Sequence, residues 1–466
     1  MIGNPEFRRN LWTQFSSTRV LVGALLTGLL LLCALAADLA LTTRRAFVPD
    51  ITAFVARWLA IVILLFWAGR QAAGAVLREI RARTWDAQRL STIHPWSMAW
   101  GKLFGTTALA WTMALVSAVA YVAADLTVTY TAAGVRDRQL TAVLVTAASI
   151  LGFGVVCQAT GLLASLARLS GRPGEGGGGT TLAHAVALIA TGLLSAFVVW
   201  ALERQGRWFG LRLGEEALRL VTIWFFAIWT IVGVYRRMRR ELQMQSMPWA
   251  WLLFLITLVV YGEGLAYGRG QPQIALLLPM GIVMVMLWAM TFIEAKDPLT
   301  LRQCMRAFGR GQWRHAATLV PLWLVTYVVF ALIVAASIAL TLTGSAALRD
   351  FRIPGEASSQ TLLILVATFL FATRDVLIVQ IFTLGREANL AGLSGAVIWF
   401  VFYFAIPALA IAGQQQHLLG VVLPTGQGGW MLCLVPAAVE AVLCLALFAW
   451  RWRAYWRENA AKAPAA

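Results

Sequence analysis

Residues 19–41 read RVLVGALLTGLLLLCALAADLAL, in which only Arg19, Thr27 and Asp38 carry polar side chains. An α-helix rises 1.5 Å per residue, so about 20 such residues cross the ~30 Å hydrocarbon core of a bilayer. Similar runs recur at 52–77, 99–124, 141–167, 181–202, 217–235, 249–267, 273–293, 316–342, 361–384, 391–412 and 429–450. Backbone polar groups inside hydrocarbon must be satisfied within their own segment, so these runs predict helices. The expected fold class is therefore all-α: a polytopic transmembrane bundle of about twelve spans in a six-plus-six arrangement.

The whole composition agrees with that reading. Of 466 residues, 60% are hydrophobic and 13% charged, against roughly 25% charged in ordinary globular chains. A soluble enzyme is excluded on those figures. The net charge of +17, from 38 Lys and Arg against 21 Asp and Glu, would point to nucleic acid in a soluble protein. Sorted by loop, however, the basic residues favour one side of the membrane by about two to one. The expectation is a chain with both termini cytoplasmic, in a bacterial-type cytoplasmic (inner) membrane, with membrane lipids and no nucleic acid among its partners. Trp58, Trp200, Trp249, Trp251, Trp430, Trp450 and Trp452 stand near predicted span ends, as interfacial belts require. Five cysteines without CxxC spacing and four scattered histidines predict neither a disulfide framework nor a metal site.

Residues 1–18 precede the first span. Phe7, Leu11, Trp12 and Phe15 have the i, i+4, i+5, i+8 spacing of an interfacial amphipathic helix. Arg8 and Arg9 followed by an apolar run that reaches Ala34-Leu35-Ala36 have the outline of a cleavable signal, but the run continues past that site and an uncleaved span is expected. Residues 19–240 form the first six-span domain, 241–248 a linker, 249–450 a second six-span domain and 451–466 a cytoplasmic tail. The run RPGEGGGGT at 172–180 reads as a flexible linker. No lysine follows its glycines, and no other segment supplies GxxxxGK[ST], so the chain carries no P-loop of its own. Residues 203–219 read either as a short outer helix or as a solvated loop.

The stretch between spans two and three, REIRARTWDAQRLSTIHPWSMAWGKLFG at 78–105, carries the functional argument. Span two is expected to continue as a charged helix through Arg78, Glu79, Arg81 and Arg83. Trp85, Leu90 and Ile93 then form a second amphipathic run, and Pro95 restricts the backbone before span three. A helical elbow over 78–98 with Trp and Arg anchors suits a partner protein; a loop helix lying on the lipid surface is the other reading.

This stretch resembles the permeases of the ATP-binding-cassette type-2 class, which carry a pattern like E-x-E-x-G-T-L-E-x-L-L-x-S-P-L-S-P-W-E-I-L-L-G-K between their second and third spans. Thr84, Asp86, Ser91, Pro95, Trp96, Gly101 and Lys102 fall on it without a gap, with Glu79 on its first acid and Trp85 in the Leu position. Arg83 stands where the pattern has Gly, Thr92 where it has its first Pro, and Arg81 where it has its second acid. The resemblance implies a membrane permease whose cytoplasmic coupling helix docks on a separately encoded ATPase, two copies of which hold ATP and Mg; this chain needs no cofactor. Trp85, Asp86, Arg89, His94 and Pro95 are then expected to form or shape the docking surface, Glu79 and Arg81 to stiffen the helix behind it, and Lys102 to anchor span three at the interface. If the second six spans are a counterpart of the first, one chain serves two ATPases; otherwise a homodimer is required.

The loop between spans eight and nine, Glu294 to His315, carries basic residues at 302, 306, 310 and 314 and Trp313. Arginines every four residues form a stripe on one helix face. A degenerate second coupling helix and a stripe lying on anionic lipid both fit it, with lipid ahead. Within the spans, Arg374, Asp375 and Glu440 lie deep, where an ionised side chain costs roughly 2.5–3.5 kcal/mol on insertion scales. Partners are therefore expected, either an Arg374–Glu440 pair between helices or a local Arg374–Asp375 pair, serving as a structural bridge or as a substrate or ion site. Glu263, between Gly262 and Gly264, and Arg70 are weaker candidates.

Two other function classes bear on the same sequence. A polytopic enzyme of lipid or glycan metabolism needs convergent acid, His or metal-ligand residues in a sizeable loop, and the loops here are short. An ion-coupled secondary transporter places deep charges in both halves, whereas here they concentrate in the second.

Overall fold

The computed structural model describes residues 4–41, 49–91, 93–132, 137–168, 179–202, 207–244, 247–267, 272–294, 298–343, 355–384, 391–424 and 429–461. Nearly all of them are helical. Among the described residues, eight helices are long and apolar enough to cross a membrane, and four shorter ones, Ala187–Val199, Trp249–Leu265, Leu277–Phe292 and Val397–Ala412, are apolar. The protein is an all-α, multi-pass membrane protein. The strands among the described residues are the two-residue pair Arg207–Trp208 and Leu211–Arg212, joined through Phe209 and Gly210, both at positive φ, as a tight hairpin turn demands. A hairpin therefore replaces the short outer helix considered for 203–219; residues 203–206, like 172–178 of the glycine run, lie outside the described residues.

The chain divides into two compact units, Met1–Arg207 with Leu211–Ser246, and Trp208–Gly210 with Met247–Ala466. The first unit contains α1 (Pro5–Gln14), α2 (Ser17–Leu41), α3 (Asp50–Val62), a π-helical turn (Ile63–Ala68) and α4 (Gly69–Arg81). It continues through α5 (Trp85–Arg89), α6 (Pro95–Trp100), a second π-helical turn (Gly101–Gly105), α7 (Ala108–Ala132), α8 (Asp137–Arg168), α9 (Gly179–Leu202) and α10 (Glu215–Glu241). The start of α3 has no capping side chain of its own. Asp38, buried at the end of α2, supplies one: its carboxylate accepts from Ile51 N at 3.0 Å and from Thr52 N and Oγ1 at 2.7 and 2.6 Å. That satisfies orphan donors and places an anion at the positive end of the helix. In the first π turn the Leu65 carbonyl accepts from His184 Nε2 at 2.8 Å and Cys157 Sγ at 3.5 Å, which accounts for a buried histidine in a span. The face Ala72, Ala73 and Val76 of α4 is fully enclosed, and small side chains let neighbouring backbones approach closely where lipid gives no hydrophobic drive to helix association.

Span three does not start at residue 99. The chain runs through α6, the second π turn and a turn at Thr106–Thr107, and only then continues as α7. The hydroxyls of Thr106 and Thr107 donate to the Lys102 and Leu103 carbonyls at 2.6 and 2.7 Å, taking up acceptors that the widened turn leaves off the regular ladder.

The second unit contains α11 (Trp249–Ala266), α12 (Pro272–Ile293), α13 (Pro298–Gly309), α14 (Trp313–Leu319), α15 (Leu322–Thr343) and α16 (Gly355–Thr383). There follow α17 (Ala391–Phe400), a π-helical turn (Val401–Ala405), α18 (Ile406–Ala412), a 3₁₀ turn (Gln416–Val421) and α19 (Gly429–Ala461). Its core joins Val283 and Leu287 of α12, Phe330 and Val334 of α15, and Leu365, Ala372 and Val376 of α16; Ala367 and Phe371 of α16 pack on Ala437 of α19. Span nine begins at Leu322 rather than near 316, because Val320, held extended ahead of Pro321, separates it from α14.

Candidate functional site

The elbow is built around a lysine that water does not reach. Lys102, in the second π turn, is fully buried. Its ammonium pairs with Glu79 of α4, with Glu6 Oε1 of α1 at 3.1 Å and with Gln88 Oε1 of α5 at 2.8 Å, and lies 5.2 Å from the centre of the Trp85 ring. Arg9 completes the cluster by bridging Glu79 and Glu6. Two cations thus face two carboxylates, so the pocket is neutral as a unit, which is the condition for keeping such charges out of water.

The N-terminal helix approaches this pocket with its polar side. Glu6, Asn10 and Gln14, spaced i, i+4, i+8, are the buried residues of α1, whereas Trp12 is 77% exposed and Phe15 is also exposed. Asn10 Nδ2 donates to Gly101 O at 3.2 Å, and Asn4, which caps α1, donates to Ser97 O at 2.7 Å. Glycine is needed at 101, since a Cβ there would lie 2.7 Å from Glu6 Cγ and 2.8 Å from Phe7 N.

The helix of span two stops earlier than its charge pattern predicts. It ends at Arg81, and Arg83 takes a left-handed φ of 56°. Thr84 N then donates to Glu79 O and Arg83 N to Ile80 O, at 2.9 and 3.0 Å, the two bonds of a Schellman cap. In α13 the equivalent left-handed position is Gly311, with Gln312 N bonded to Ala307 O at 2.9 Å. A non-glycine residue in that conformation costs about 1–2 kcal/mol. Arg83→Gly is therefore expected to stabilise the chain by about 1 kcal/mol once the greater freedom of glycine in the unfolded chain is subtracted; an unfolding titration that finds it destabilising contradicts this account of the cap.

Beyond the cap, α5 is latched on several sides. Arg89 Nε donates to the Glu241 carbonyl at the end of α10 at 3.1 Å, and Arg89 lies 3.8 Å from Asp86. His94 caps α6, its Nδ1 accepting from Trp96 N at 3.2 Å, and Trp96 meets Tyr235 of α10 edge to face at 5.3 Å. The outward face carries Arg81, Arg83, Thr84, Ser91 and His94, together with the Asp86 side chain, 87% exposed, and Leu90, 88% exposed.

Deep in the second unit lies another charged group. Arg374, 1% exposed, donates from Nε and Nη2 to Asp375 Oδ1 at 2.9 and 2.8 Å and from Nη1 to Glu440 Oε2 of α19 at 2.6 Å. Asp375 Oδ2 accepts from Tyr403 Oη at 2.7 Å and Trp288 Nε1 at 3.1 Å. The guanidinium lies 4.3 Å from the Phe402 ring centre and 4.7 Å from that of Phe371, a favourable setting for a desolvated cation.

No protein-family model, curated protein or solved structure gives a match to this chain.

The structure gathers the elbow residues chosen from the sequence, but not all in the expected roles. Trp85 does not belong to an exposed docking surface: it is 6% exposed and packs with Val76, Met98, Leu162 and Met238, because its indole covers the Lys102 pocket. Pro95 is buried too. Lys102 is enclosed by ion pairs rather than reaching for the membrane surface, and Glu79 serves as the bridge between Lys102 and Arg9. Arg81 is exposed, Asp86 and His94 face outward, and Arg89 is the latch to α10. In the second unit Arg374 engages both Asp375 and Glu440, so the two pairings considered coexist. Glu263 is half-buried on α11, and its carboxyl forms no ion pair among the described residues. Glu6, Arg9, Gln88, Tyr403 and Trp288 were not picked out by sequence. For α1 a signal was present in the polar stripe Glu6-Asn10-Gln14. No group of three or more His, Cys, Asp or Glu with metal-binding geometry occurs among the described residues.

Proposed function

We propose that the chain is the membrane-spanning permease subunit of a transporter of the ATP-binding-cassette type. It moves a substrate across the cytoplasmic membrane on energy from a separately encoded ATPase present in two copies. In this reading the twelve spans comprise the eight long helices and the four shorter apolar ones, with both termini on the cytoplasmic side. The observation that carries the reading is the elbow itself: an exposed tip, Asp86 and Leu90, on a base tied to α1, α4, α6 and α10. A displacement applied at such a tip passes into the spans instead of being absorbed by a loose loop. ATP-driven closure of the two ATPases then biases the permease between inward- and outward-facing states through contacts that differ between them.

The test is capture by the purified full chain of a P-loop ATPase from the same cell, a neighbouring gene for one being the first to try. Asp86→Arg with Leu90→Asp is expected to weaken capture by about 30-fold or more, the effect of losing an interface hot spot. Because both side chains are exposed, the unfolding midpoint should stay where it is. Unchanged capture by a folded variant overturns the assignment.

A second reading, an ion-coupled transporter, draws on the Arg374 cluster, where two carboxylates meet one guanidinium in the middle of apolar helices. Such intramembrane carboxylates commonly mark ion pathways. ATP-independent, gradient-driven uptake in proteoliposomes would favour it over the first.

A further inference from the structure

The basic hairpin between α12 and α15 is the least explained surface of the molecule. Residues 298–315, PLTLRQCMRAFGRGQWRH, contain four arginines and no acid. They fold as α13 and α14 back to back: Cys304, Ala307 and Ala316 are buried between them, and Cys304 Sγ donates to Ala316 O at 3.6 Å. The hairpin is held at its two ends by apolar helices, α12 and α15, of which α15 is long enough to cross a membrane. Trp323 N, at the start of α15, donates to Glu294 Oε2, just past the end of α12, at 3.0 Å.

At 100° per residue, Arg302 and Arg306 of α13, with Arg310 one residue past its end and bonded back to Arg306 O, fall on one strip, and Leu301, Met305 and Phe308 on a second strip roughly 100° away, both turned from the buried face. Arg306, Arg310 and Arg314 are exposed, and so are Met305, Phe308 and Trp313, at 59%, 44% and 64%. Apolar and cationic strips side by side suit a helix sunk to the boundary between acyl chains and headgroups. A protein-facing helix would instead hide its apolar strip behind the charges or inside a groove.

The end of α19 extends the same surface. Arg302 stacks on Trp456 at 3.9 Å, Trp456 lies against Trp452 at 5.6 Å, and Arg451, Arg453 and Arg457 are exposed nearby along the helix. Trp456 Nε1 is a buried donor with no acceptor among the described residues. A phosphodiester oxygen reaching the Arg302 edge offers the kind of acceptor that this indole lacks.

The geometry points to a binding surface for anionic phospholipid, with α13 and α14 as its floor and the end of α19 as its wall: arginines hold the phosphodiester, and Met305, Phe308 and Trp313 sit among the acyl chains. This is independent of the permease reading, because lipid is bound without an ATPase.

The experiment uses the full chain in mild detergent, with retention of phosphatidylglycerol measured by native mass spectrometry against phosphatidylcholine. The wild-type chain should prefer phosphatidylglycerol, and rising salt should weaken that preference. Arg306→Gln, Arg310→Gln and Arg314→Gln together should lower the affinity on the order of 100-fold, at about fivefold per arginine near an anionic surface. The corresponding triple lysine variant should keep most of it, which separates lost charge from lost folding. Equal retention of the two lipids by the wild type, or undiminished phosphatidylglycerol retention by a folded glutamine variant, overturns the proposal. So does a glutamine variant that loses the ATPase but keeps the lipid, which would make the hairpin a protein-docking element.

Discussion

Lys102→Met should lower the unfolding free energy of the solubilised chain by about 3–5 kcal/mol, the range for removing one partner from a buried ion pair. The size follows from what stays behind. Glu6 is 2% exposed and shares the pocket with Glu79, so without the ammonium two carboxylates face each other with only Arg9, itself half in water, to compensate them. The hydrogen bond to Gln88 and the contact with the Trp85 ring are lost in the same step. Adding Glu79→Gln should recover roughly half of the loss, since Arg9 then has Glu6 to itself and the pocket is again neutral. Denaturant titration of the two variants and the wild type checks both statements. A loss below about 0.5 kcal/mol, within the range of an ordinary surface change, would mean that the lysine does not hold the elbow.

Arg374→Met carries an effect of the same order, about 3–5 kcal/mol, because Asp375 and Glu440 lose their shared cation inside apolar helices. The informative comparison is Arg374→Met with Asp375→Asn and Glu440→Gln. Neutral replacements of similar volume are often tolerated where a single deletion is not, so this triple variant should regain most of the stability. Transport then decides what the cluster is for. A stable triple variant that still transports marks a structural clasp between α16 and α19, and one that is stable but inactive marks a substrate or ion site. If Arg374→Met alone leaves stability unchanged, the clasp does not exist.

The apolar helices were legible because hydrocarbon imposes one rule on every stretch of 20 residues, and that rule acts locally. Their ends were less so wherever a side chain decided them: Thr106 and Thr107 rather than hydropathy set where α7 begins, and Pro321 sets where α15 begins. The cap at Arg83 was missed because charged helix-formers at 78–83 read as helix, while the left-handed turn depends on bonds back to Glu79 and Ile80. The elbow as a place was legible; the burial of Trp85 was not. A tryptophan beside exposed charges reads as a surface anchor, and only the fold shows that a buried ammonium needs its cover. Arg374 and Glu440 announced themselves by being costly where they stand. Tyr403 and Trp288 did not, since an aromatic residue in a span raises no such alarm.

The pairing of Glu6 with Lys102 also sets an order of events during synthesis. The two residues are 96 positions apart, so at about 5–20 residues per second the N-terminal helix exists for roughly 5–20 seconds before its cation has been made. Through that interval Glu6 has only Arg9 and Asn10 of its own helix as partners. Glu6 can thus be closed in as soon as the second π turn emerges, before α7, α8, α9 and α10 have been made to pack around it.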